Sequence, residues 1–346
     1  MTKLLPTSTA GSLPKPSWLA EPEKLWSPWK MEGEELAQAK QDALRVTLGE
    51  QRGAGIDIIS DGEQTRQHFV TTFIEGLEGV DFEKRETVRI RNRYDASVPT
   101  VVSAVSRPRS VFVEDAKFLR AQTDAPIKWA LPGPMTMIDT LYDAHYRSRE
   151  KLAWEFATLL NEEAKELEAA GIDIIQFDEP AFNVFFDEVN DWGMATLERA
   201  MEGLKCQKAV HICYGYGIKA NTDWKATLGS EWRQYEMIFP TIQQSSVDLV
   251  SLECQNSHVP MDLIELIRGK KVMVGSIDVA TDKIETPQEV AATLRKALEF
   301  VDADKLYPCT NCGMTPLSRQ VARGKLAALS AGAEIIRQEL GSSSAP

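Results

Sequence analysis

The amino-acid sequence predicts an α/β fold and, within that class, a single (β/α)8 TIM barrel. Two observations support this prediction: eight short apolar runs alternate with longer helical stretches, and polar side chains follow most of the runs. Strands that alternate with helices form a parallel sheet, and eight such strands can close into a barrel. A doubly wound open sheet remains the alternative, because the number of strands does not reveal closure.

The predicted strands and helices follow one another in regular order. The strands are residues 9–12, 56–60, 127–131, 172–177, 209–213, 249–253, 272–277 and 306–309. The helices are residues 35–52, 149–170, 194–204, 231–244, 261–268, 287–301 and 318–340. In the second helix, apolar residues recur at helical spacing, as at Leu152, Phe156 and Leu160, which indicates one buried face.

A five-residue repeat marks two of the junctions between helix and strand. Gly-Ile-Asp-Ile-Ile occurs at 55–59 and again at 171–175, each time after a helical stretch. Glycine reaches positive φ without strain and commonly ends a helix. The apolar run after it is typical of a buried parallel strand, so both copies predict a helix, a glycine turn, a strand and an acidic loop.

One segment interrupts the alternation. Residues 78–113 are charged and rich in β-branched side chains, so we expect a β-hairpin-like insertion between the second and third strands. Residues 1–340 are predicted to form one catalytic barrel that contains this insertion. The small and polar residues 341–346 are predicted to form a disordered tail.

Charge and hydropathy exclude several classes of function. The net charge of the 346-residue chain is −12, so no nucleic-acid partner is expected, because there is no basic excess to neutralise phosphates. No run of 18 or more apolar residues occurs, which argues against a membrane span. The first residues lack the apolar core of a signal peptide, and we therefore expect a cytoplasmic protein.

Residues that bind metals gather at the ends of the later strands, where barrel enzymes carry their active sites. His211 and Cys213 are two apart in one strand and so share a face. Glu253 ends the next strand, and Cys309 and Cys312 follow the last one. Nitrogen, oxygen and sulfur ligands in this mixture suit zinc rather than magnesium or calcium. Spacing leaves open which of the last two cysteines is the ligand.

Three carboxylates, Glu63, Asp178 and Glu179, end two further strands. Each of them either caps a helix in contact with solvent or holds a cationic ammonium group, because a buried carboxylate needs a charge partner. His68 and His258 have no evident partner, so we expect both to be solvated loop residues.

Seven motifs, in order along nearly the whole chain, resemble those of the catalytic, C-terminal barrel of cobalamin-independent methionine synthase. They are Ala10-Gly11-Ser12, Asp61-Gly62-Glu63, Gly133-Pro134-Met135-Thr136, Asp178-Glu179-Pro180, His211-Ile212-Cys213-Tyr214, Ser251-Leu252-Glu253 and Asn311-Cys312-Gly313. The chain is similar to a short "core" type of that family, with the catalytic barrel alone. The resemblance implies a zinc-dependent S-methyltransferase that converts homocysteine thiolate to methionine.

The resemblance also implies roles for individual residues. The implied zinc ligands are His211, Cys213, Glu253 and Cys312. Of the last two cysteines, the resemblance selects Cys312 rather than Cys309. Homocysteine is implied to bind Ser12, Glu63 and Asp178, with the two carboxylates as the catalytic pair at its amino group.

Two positions depart from the family pattern on the side of the methyl donor. The family has an Asp-Ile-His segment whose histidine protonates the folate, and this chain has Asp278-Val279-Ala280 there. Thr140 stands where a tryptophan of the family stacks on the pterin. The donor therefore stays open among methyl-folate, a methyl-corrinoid and another methyl compound, with a donor or accessory protein as a candidate partner.

Two other functions fit the same residues. A related zinc barrel would transfer methyl or alkyl groups from a corrinoid or other donor to a different thiol, such as coenzyme M. Such an enzyme would not need Glu63 and Asp178 for an amino group. A barrel with a structural zinc would have no catalytic function, since only a catalytic site leaves a position for the substrate sulfur.

Overall fold

Helices and strands alternate along the chain in the computed structural model, which describes residues 3–343. The strands are β1 (Ile59–Ser60), β2 (Glu78–Ile90), β3 (Tyr94–Ser106), β4 (Ile127–Pro132), β5 (Tyr142–Asp143), β6 (Ile174–Asp178), β7 (Gln207–Ile212), β8 (Leu249–Glu253), β9 (Lys271–Gly275) and β10 (Leu306–Cys309). The α-helices are α1 (Gly33–Gly53), α2 (Thr71–Glu75), α3 (Val113–Arg120), α4 (Pro134–Ile138), α5 (Arg149–Ala169), α6 (Phe186–Glu188), α7 (Met194–Met201), α8 (Lys219–Lys225), α9 (Phe239–Gln243), α10 (Pro287–Ala297) and α11 (Arg319–Ser343). Among these residues, no helix combines the length and the apolar character needed to cross a lipid bilayer.

Seven parallel strands form a curled sheet in the order β1-β4-β6-β7-β8-β9-β10. This order follows the chain from one end of the sheet to the other, whereas a doubly wound sheet reverses direction. The segment before α1 joins the two ends. The N–H of Ser8 donates to the Pro308 carbonyl of β10 (3.0 Å), and the Thr7 carbonyl accepts from Ile58, next to β1 (2.9 Å). The α/β barrel prediction is therefore confirmed.

The first two predicted strands differ from the observed ones. Residues 9–12 do not form a strand, because the N–H of Ala10 donates to the side-chain oxygen of Thr310 (2.9 Å) instead of to a neighbouring backbone. The barrel is thus closed through residues 7–8 without a regular ladder of hydrogen bonds. The second strand is shorter than predicted, since only Ile59 and Ser60 pair with β4.

The two copies of the Gly-Ile-Asp-Ile-Ile repeat share one conformation and one role. Their glycines follow α1 and α5 with φ of 80° and 94°, in the left-handed region that favours glycine. Asp57 then accepts the N–H of Thr7 (2.9 Å), and Asp173 accepts that of Ile127 (2.8 Å). Each aspartate fastens the start of the neighbouring strand segment, so the repeat serves the assembly of the barrel.

Two predicted helices are replaced by shorter pieces. Residues 231–244 form a 3-10 turn (Gln234–Met237) and then α9, in whose first turn the missing N–H of Pro240 loses no helical hydrogen bond. Residues 261–268 form the 3-10 helix Met261–Ile267. The last helix, α11, includes residues 341–343 of the predicted disordered tail, and residues 344–346 lie outside the described residues.

Strands β2 and β3 form the predicted hairpin, inserted between the barrel strands β1 and β4. They pair antiparallel as far as Ile90 and Tyr94, and β5 pairs with β3 through Tyr142. The N–H of Arg91, at the hairpin tip, donates to a carboxylate oxygen of Asp139, the residue after α4 (3.0 Å). The tip is thereby fastened at the mouth of the barrel, where the strands end.

Inside the barrel, buried side chains from the strands and from the segments that precede β1 form a separate apolar layer. They are Ala10, Ile58, Ile174, Ala209, Leu249, Met273, Tyr307 and Cys309. Such layers fill the interior of other barrels of this kind. Cys309 therefore belongs to the packing of the interior.

Candidate functional site

A cavity of about 530 Å³ opens at the C-terminal ends of the barrel strands, against the hairpin tip. Predicted site residues that line it are Glu63, Asp178, His211, Cys213 and Cys312. The other two predicted residues are buried beside it. Ser12 has its hydroxyl 3.5 Å from that of Tyr216, which also lines the cavity, and Glu253 Oε2 accepts the N–H of Tyr214 (3.1 Å).

His211, Cys213 and Cys312 form a group whose potential ligand atoms all lie within 4.8 Å of one another. The two sulfur atoms are 3.3 Å apart. The Nδ1 of His211 bonds the Ser251 hydroxyl (2.8 Å), and its Nε2 is buried with no hydrogen-bond partner among the described residues. A hydrogen bond of this kind fixes the ring of a metal-binding histidine, so Nε2 is available to a metal.

One of the same three side chains, Cys213, already favours the negatively charged form that binds a metal cation. The hydrogen bond from Cys312 holds the pKa of the Cys213 thiol well below its usual range, and the nearby His211 acts in the same direction. The bond also raises the pKa of Cys312. Thiolate sulfur and a neutral imidazole nitrogen are preferred ligands of zinc, and the group therefore fits a zinc ion.

Glu253, the predicted fourth ligand, lies outside that group. Its Oε1 is 2.6 Å from the Nζ of Lys225, and both side chains are buried. A buried carboxylate needs such a charge partner, and Lys225 comes from α8, a helix that the sequence pattern did not predict. The assignment of Glu253 to the metal remains a prediction. The three grouped residues leave room in a tetrahedral site for a further ligand.

Of the two neighbouring cysteines, Cys312 is the one that lies with His211 and Cys213. Cys309 ends β10 and packs in the barrel interior, where burial raises the pKa of its thiol to about 11. After β10 the chain turns, and the Thr310 hydroxyl donates to the carbonyl of Cys312 (2.9 Å). This turn carries Cys312 to the mouth of the barrel.

Glu63 and Asp178 are buried in the same cavity wall and affect each other's charge. Burial raises the pKa of Glu63 to about 7, a shift that Arg66 opposes and Asp178 reinforces. Burial also raises the pKa of Asp178, against the opposing effect of His211. Two carboxylates buried together are stabilised by a cation, and the ammonium group of an amino acid is such a cation.

A buried polar network supports Asp178 from inside the barrel. Gln176 Nε2 donates to Asp178 Oδ1 (2.7 Å), and the Gln176 side-chain oxygen accepts from the ammonium of Lys128. Lys128 and Gln176 both donate further to the Ala10 carbonyl (3.2 and 2.5 Å). Neither residue was predicted to belong to the site, although a lysine and a glutamine within buried strands are an unusual signal.

Glu179, the third carboxylate, has a structural role. Its oxygens accept the N–H groups of Met135 and Thr136 (2.9 Å each) and the Thr136 hydroxyl (2.7 Å). These bonds satisfy backbone donors in the first turn of α4. Glu179 therefore caps a helix as one alternative predicted, but its side chain is buried and not in contact with solvent. Burial raises the pKa of Glu179 to about 8.

Gly133 makes this capping possible, and we expect Gly133→Ala to destabilise the fold. A Cβ there would lie 2.2 Å from the Glu179 carboxyl carbon, so the carboxylate would have to leave the helix end. The free energy of unfolding, measured by urea denaturation, should fall by about 1–3 kcal/mol. Gly49→Ala, inside α1 with open space around it, is the control and should raise stability by up to about 1 kcal/mol. Equal stability of the Gly133 variant and the unchanged protein would contradict this contact.

His68 lines the cavity and is partly buried, so the prediction of a solvated loop residue is wrong for it. Its Nδ1 accepts the N–H of Val70 (3.3 Å), and burial lowers its pKa to about 3. Thr140 also lines the cavity, and its hydroxyl donates to the Met137 carbonyl (2.9 Å). Ala280 is exposed. Neither Thr140 nor Ala280 therefore brings an aromatic ring or an acid to the cavity.

Comparison with known proteins relates the chain to one family. Residues 5–334 match the family model described as the catalytic domain of cobalamin-independent synthase. A methionine synthase of Saccharolobus solfataricus is 31% identical over 341 residues, which cover 97% of this chain and 96% of the relative. A methionine synthase of Sulfurisphaera tokodaii is 31% identical over 339 residues, which cover 97% of this chain and 94% of the relative.

Solved structures are similar over the whole barrel. A B12-independent methionine synthase from Shewanella sp. W3-18-1, in complex with selenomethionine, is 80% identical with a TM-score of 0.97, covering 98% of this chain and 100% of that chain. A putative vitamin B12-independent methionine synthase from Listeria monocytogenes is 19% identical with a TM-score of 0.73, covering 96% of this chain and 97% of that chain. The second likeness supports the fold alone.

Proposed function

Because this chain belongs to the cobalamin-independent methionine synthase family, we propose that it transfers a methyl group to the sulfur of homocysteine and releases methionine. The observation that carries the proposal is one cavity lined by both a buried pair of carboxylates and a buried group of one histidine and two cysteines. The carboxylates suit the ammonium group of an amino acid, and the second group suits a metal that binds its thiol.

The proposed metal is zinc, held by His211, Cys213 and Cys312, with Glu253 as the predicted fourth ligand. When bound, zinc would lower the pKa of the substrate thiol and so supply a nucleophilic thiolate at neutral pH. The Ser251 hydroxyl holds the His211 ring through Nδ1 (2.8 Å), which leaves the buried Nε2 available to the metal.

Glu63 and Asp178 are proposed to bind the ammonium group of homocysteine, with Ser12 at the same end of the amino acid. Gln176 keeps Asp178 in place through its 2.7 Å hydrogen bond. A substrate fixed at its amino group presents its sulfur in one orientation, which favours in-line attack on the methyl group. The bond from sulfur to the methyl carbon forms while the bond from that carbon to the donor breaks, and its electron pair stays with the donor.

The methyl donor is proposed to be a methyl-corrinoid or another methyl compound rather than methyl-folate. Ala280 is exposed, and Thr140 uses its hydroxyl within its own helix end. These are the two positions at which the family pattern has a proton donor and a ring that stacks on the pterin. Transfer from a neutral amine needs a proton donor, which typically contributes about 10²–10⁴-fold.

The proposal is tested with purified, zinc-loaded protein, homocysteine and one donor at a time. We expect mass spectrometry to detect methionine with a methyl-corrinoid or small methyl donor, and much less with 5-methyltetrahydropteroylglutamate. The zinc X-ray absorption spectrum should show a further sulfur ligand when homocysteine is added, because at a catalytic site the substrate sulfur would join as a fifth ligand or replace Glu253. Methylation of coenzyme M without methionine would identify the other thiol transferase, and an unchanged zinc spectrum would identify a structural site.

A further inference from the structure

The tip of the β2–β3 hairpin brings two arginines, Arg91 and Arg93, to the wall of the cavity. Arg91 is only 9% exposed, and its Nη1 is buried with no hydrogen-bond partner in the part of the chain that the structure describes. The Nε and Nη2 of Arg93 are likewise buried and unpartnered among the described residues. Three donor nitrogens of two cations thus remain unsatisfied at a place where buried polar groups are nearly always hydrogen-bonded.

The backbone of the tip has a conformation that residues with a side chain rarely adopt. The φ angle is 44° at Arg91 and 56° at Asn92, both in the left-handed region. Asparagine and glycine are preferred at such positions of a hairpin turn, and Asn92 follows that preference whereas Arg91 does not. An arginine held at this φ is a candidate for a functional side chain.

Neighbouring groups fix the tip in place and compensate part of its charge. Asp139 accepts the backbone N–H of Arg91 (3.0 Å), so one carboxylate lies close by. Arg93 donates to the neutral side chain of Asn221 (3.1 Å) and lies 3.6 Å from the centroid of the Trp224 ring. Burial and the charge of Arg91 lower the pKa of Arg93 to about 10. The Arg93 guanidinium therefore stays protonated at neutral pH.

We propose that Arg91 and Arg93 form a subsite for a carboxylate or phosphate group of the methyl donor. Guanidinium donors in a wall shielded from water match the planar, paired oxygens of such anions. The ammonium group of homocysteine is assigned to Glu63 and Asp178, and the cavity of about 530 Å³ is in the size range that holds larger ligands. The inference rests on the proposed function, because it assigns a chemical feature to the second substrate of the same site.

Isothermal titration calorimetry with three probes, inorganic phosphate, glutarate and L-methionine, tests the subsite. The variants are Arg91→Gln and Arg93→Gln, with Arg89→Gln as the matched control. Arg89 lies on the same hairpin, is exposed and pairs with Asp95 (3.2 Å), so its replacement removes the same charge outside the cavity. We expect the first two variants to bind phosphate or glutarate at least about tenfold more weakly. The control should bind both anions like the unchanged protein.

Each outcome decides for or against the subsite. A preference for phosphate indicates a phosphate-bearing donor and a preference for glutarate a carboxylate-bearing one, and both support the proposal. Methionine affinity that stays within about twofold in every variant supports it too. A tenfold loss of methionine affinity in Arg91→Gln would assign the arginines to the carboxylate of the acceptor and overturn it. An equal loss of anion affinity in Arg89→Gln, or no anion binding to the unchanged protein, would also overturn it.

Two further measurements separate a loss of the subsite from a loss of folding or of the proposed function. Arg93→Lys keeps the positive charge but not the planar fork of donors, so its anion affinity should fall between those of the unchanged protein and Arg93→Gln, even where a glutamine variant fails to fold. Methionine binding to the unchanged protein tests the proposed function by itself. A lack of methionine binding would therefore count against the proposed function, whereas phosphate and glutarate binding reports on the anion subsite alone.

Discussion

Cys312→Ser should remove zinc from the protein and lower the rate of methionine formation by at least about 100-fold. Cys312 is one of the three side chains whose potential ligand atoms lie within 4.8 Å of one another. A thiolate is a preferred zinc ligand, whereas the serine hydroxyl that replaces it stays protonated at neutral pH. Changes to residues that only support metal ligands already cost about 10–100-fold. Zinc content is measured by mass spectrometry of the metal after gel filtration, and activity with homocysteine and the best donor.

Cys309→Ser is the matched control, because it makes the same change three residues earlier in a side chain that packs in the barrel interior. We expect it to retain zinc and most of the activity, with some loss of stability from a buried hydroxyl. Loss of zinc in the Cys309 variant together with its retention in the Cys312 variant would reverse the assignment of the ligand.

The barrel could be predicted because its determinants are local. The Gly-Ile-Asp-Ile-Ile repeat contains both the glycine that ends a helix and the strand that follows, and both glycines have the positive φ that this interpretation requires. Closure of the sheet is different, because it depends on Ser8 bonding Pro308, a partner at the other end of the chain. Local patterning contains no information on such a pairing, and the strand predicted at residues 9–12 was therefore misplaced.

In the candidate site, too, local patterning predicted some residues and could not predict others. The alternation of side chains along a strand predicts that His211 and Cys213 share a face, and both line the cavity. The choice of Cys312 rested on the family resemblance, since the turn after β10 determines which cysteine reaches the mouth. Lys225 beside Glu253, and the arginines of the hairpin tip, come from elements whose docking no local pattern indicates.

Glu63→Gln and Asp178→Asn should each weaken the binding of homocysteine and methionine by about 10- to 100-fold. This is the usual effect of losing a charge-assisted hydrogen bond in a buried site. The rate at saturating homocysteine should change less, because the amino group takes no part in the transfer. Calorimetry with methionine measures the affinity directly. The control is Glu75→Gln, which alters an exposed carboxylate lining the same cavity.

The affinity for methionine should also depend on pH, and the direction follows from the raised pKa of Glu63. With its pKa near about 7, Glu63 is largely neutral below that pH in the empty protein and ionised above it. An ammonium group binds the ionised form, so affinity should level off above about pH 8 and fall by up to about tenfold per pH unit below 7. Glu63→Gln should bind more weakly and lose this slope. A slope that persists in the glutamine variant would assign the titration to another group, and an unchanged affinity in Glu63→Gln and Asp178→Asn would favour a thiol acceptor without an amino group.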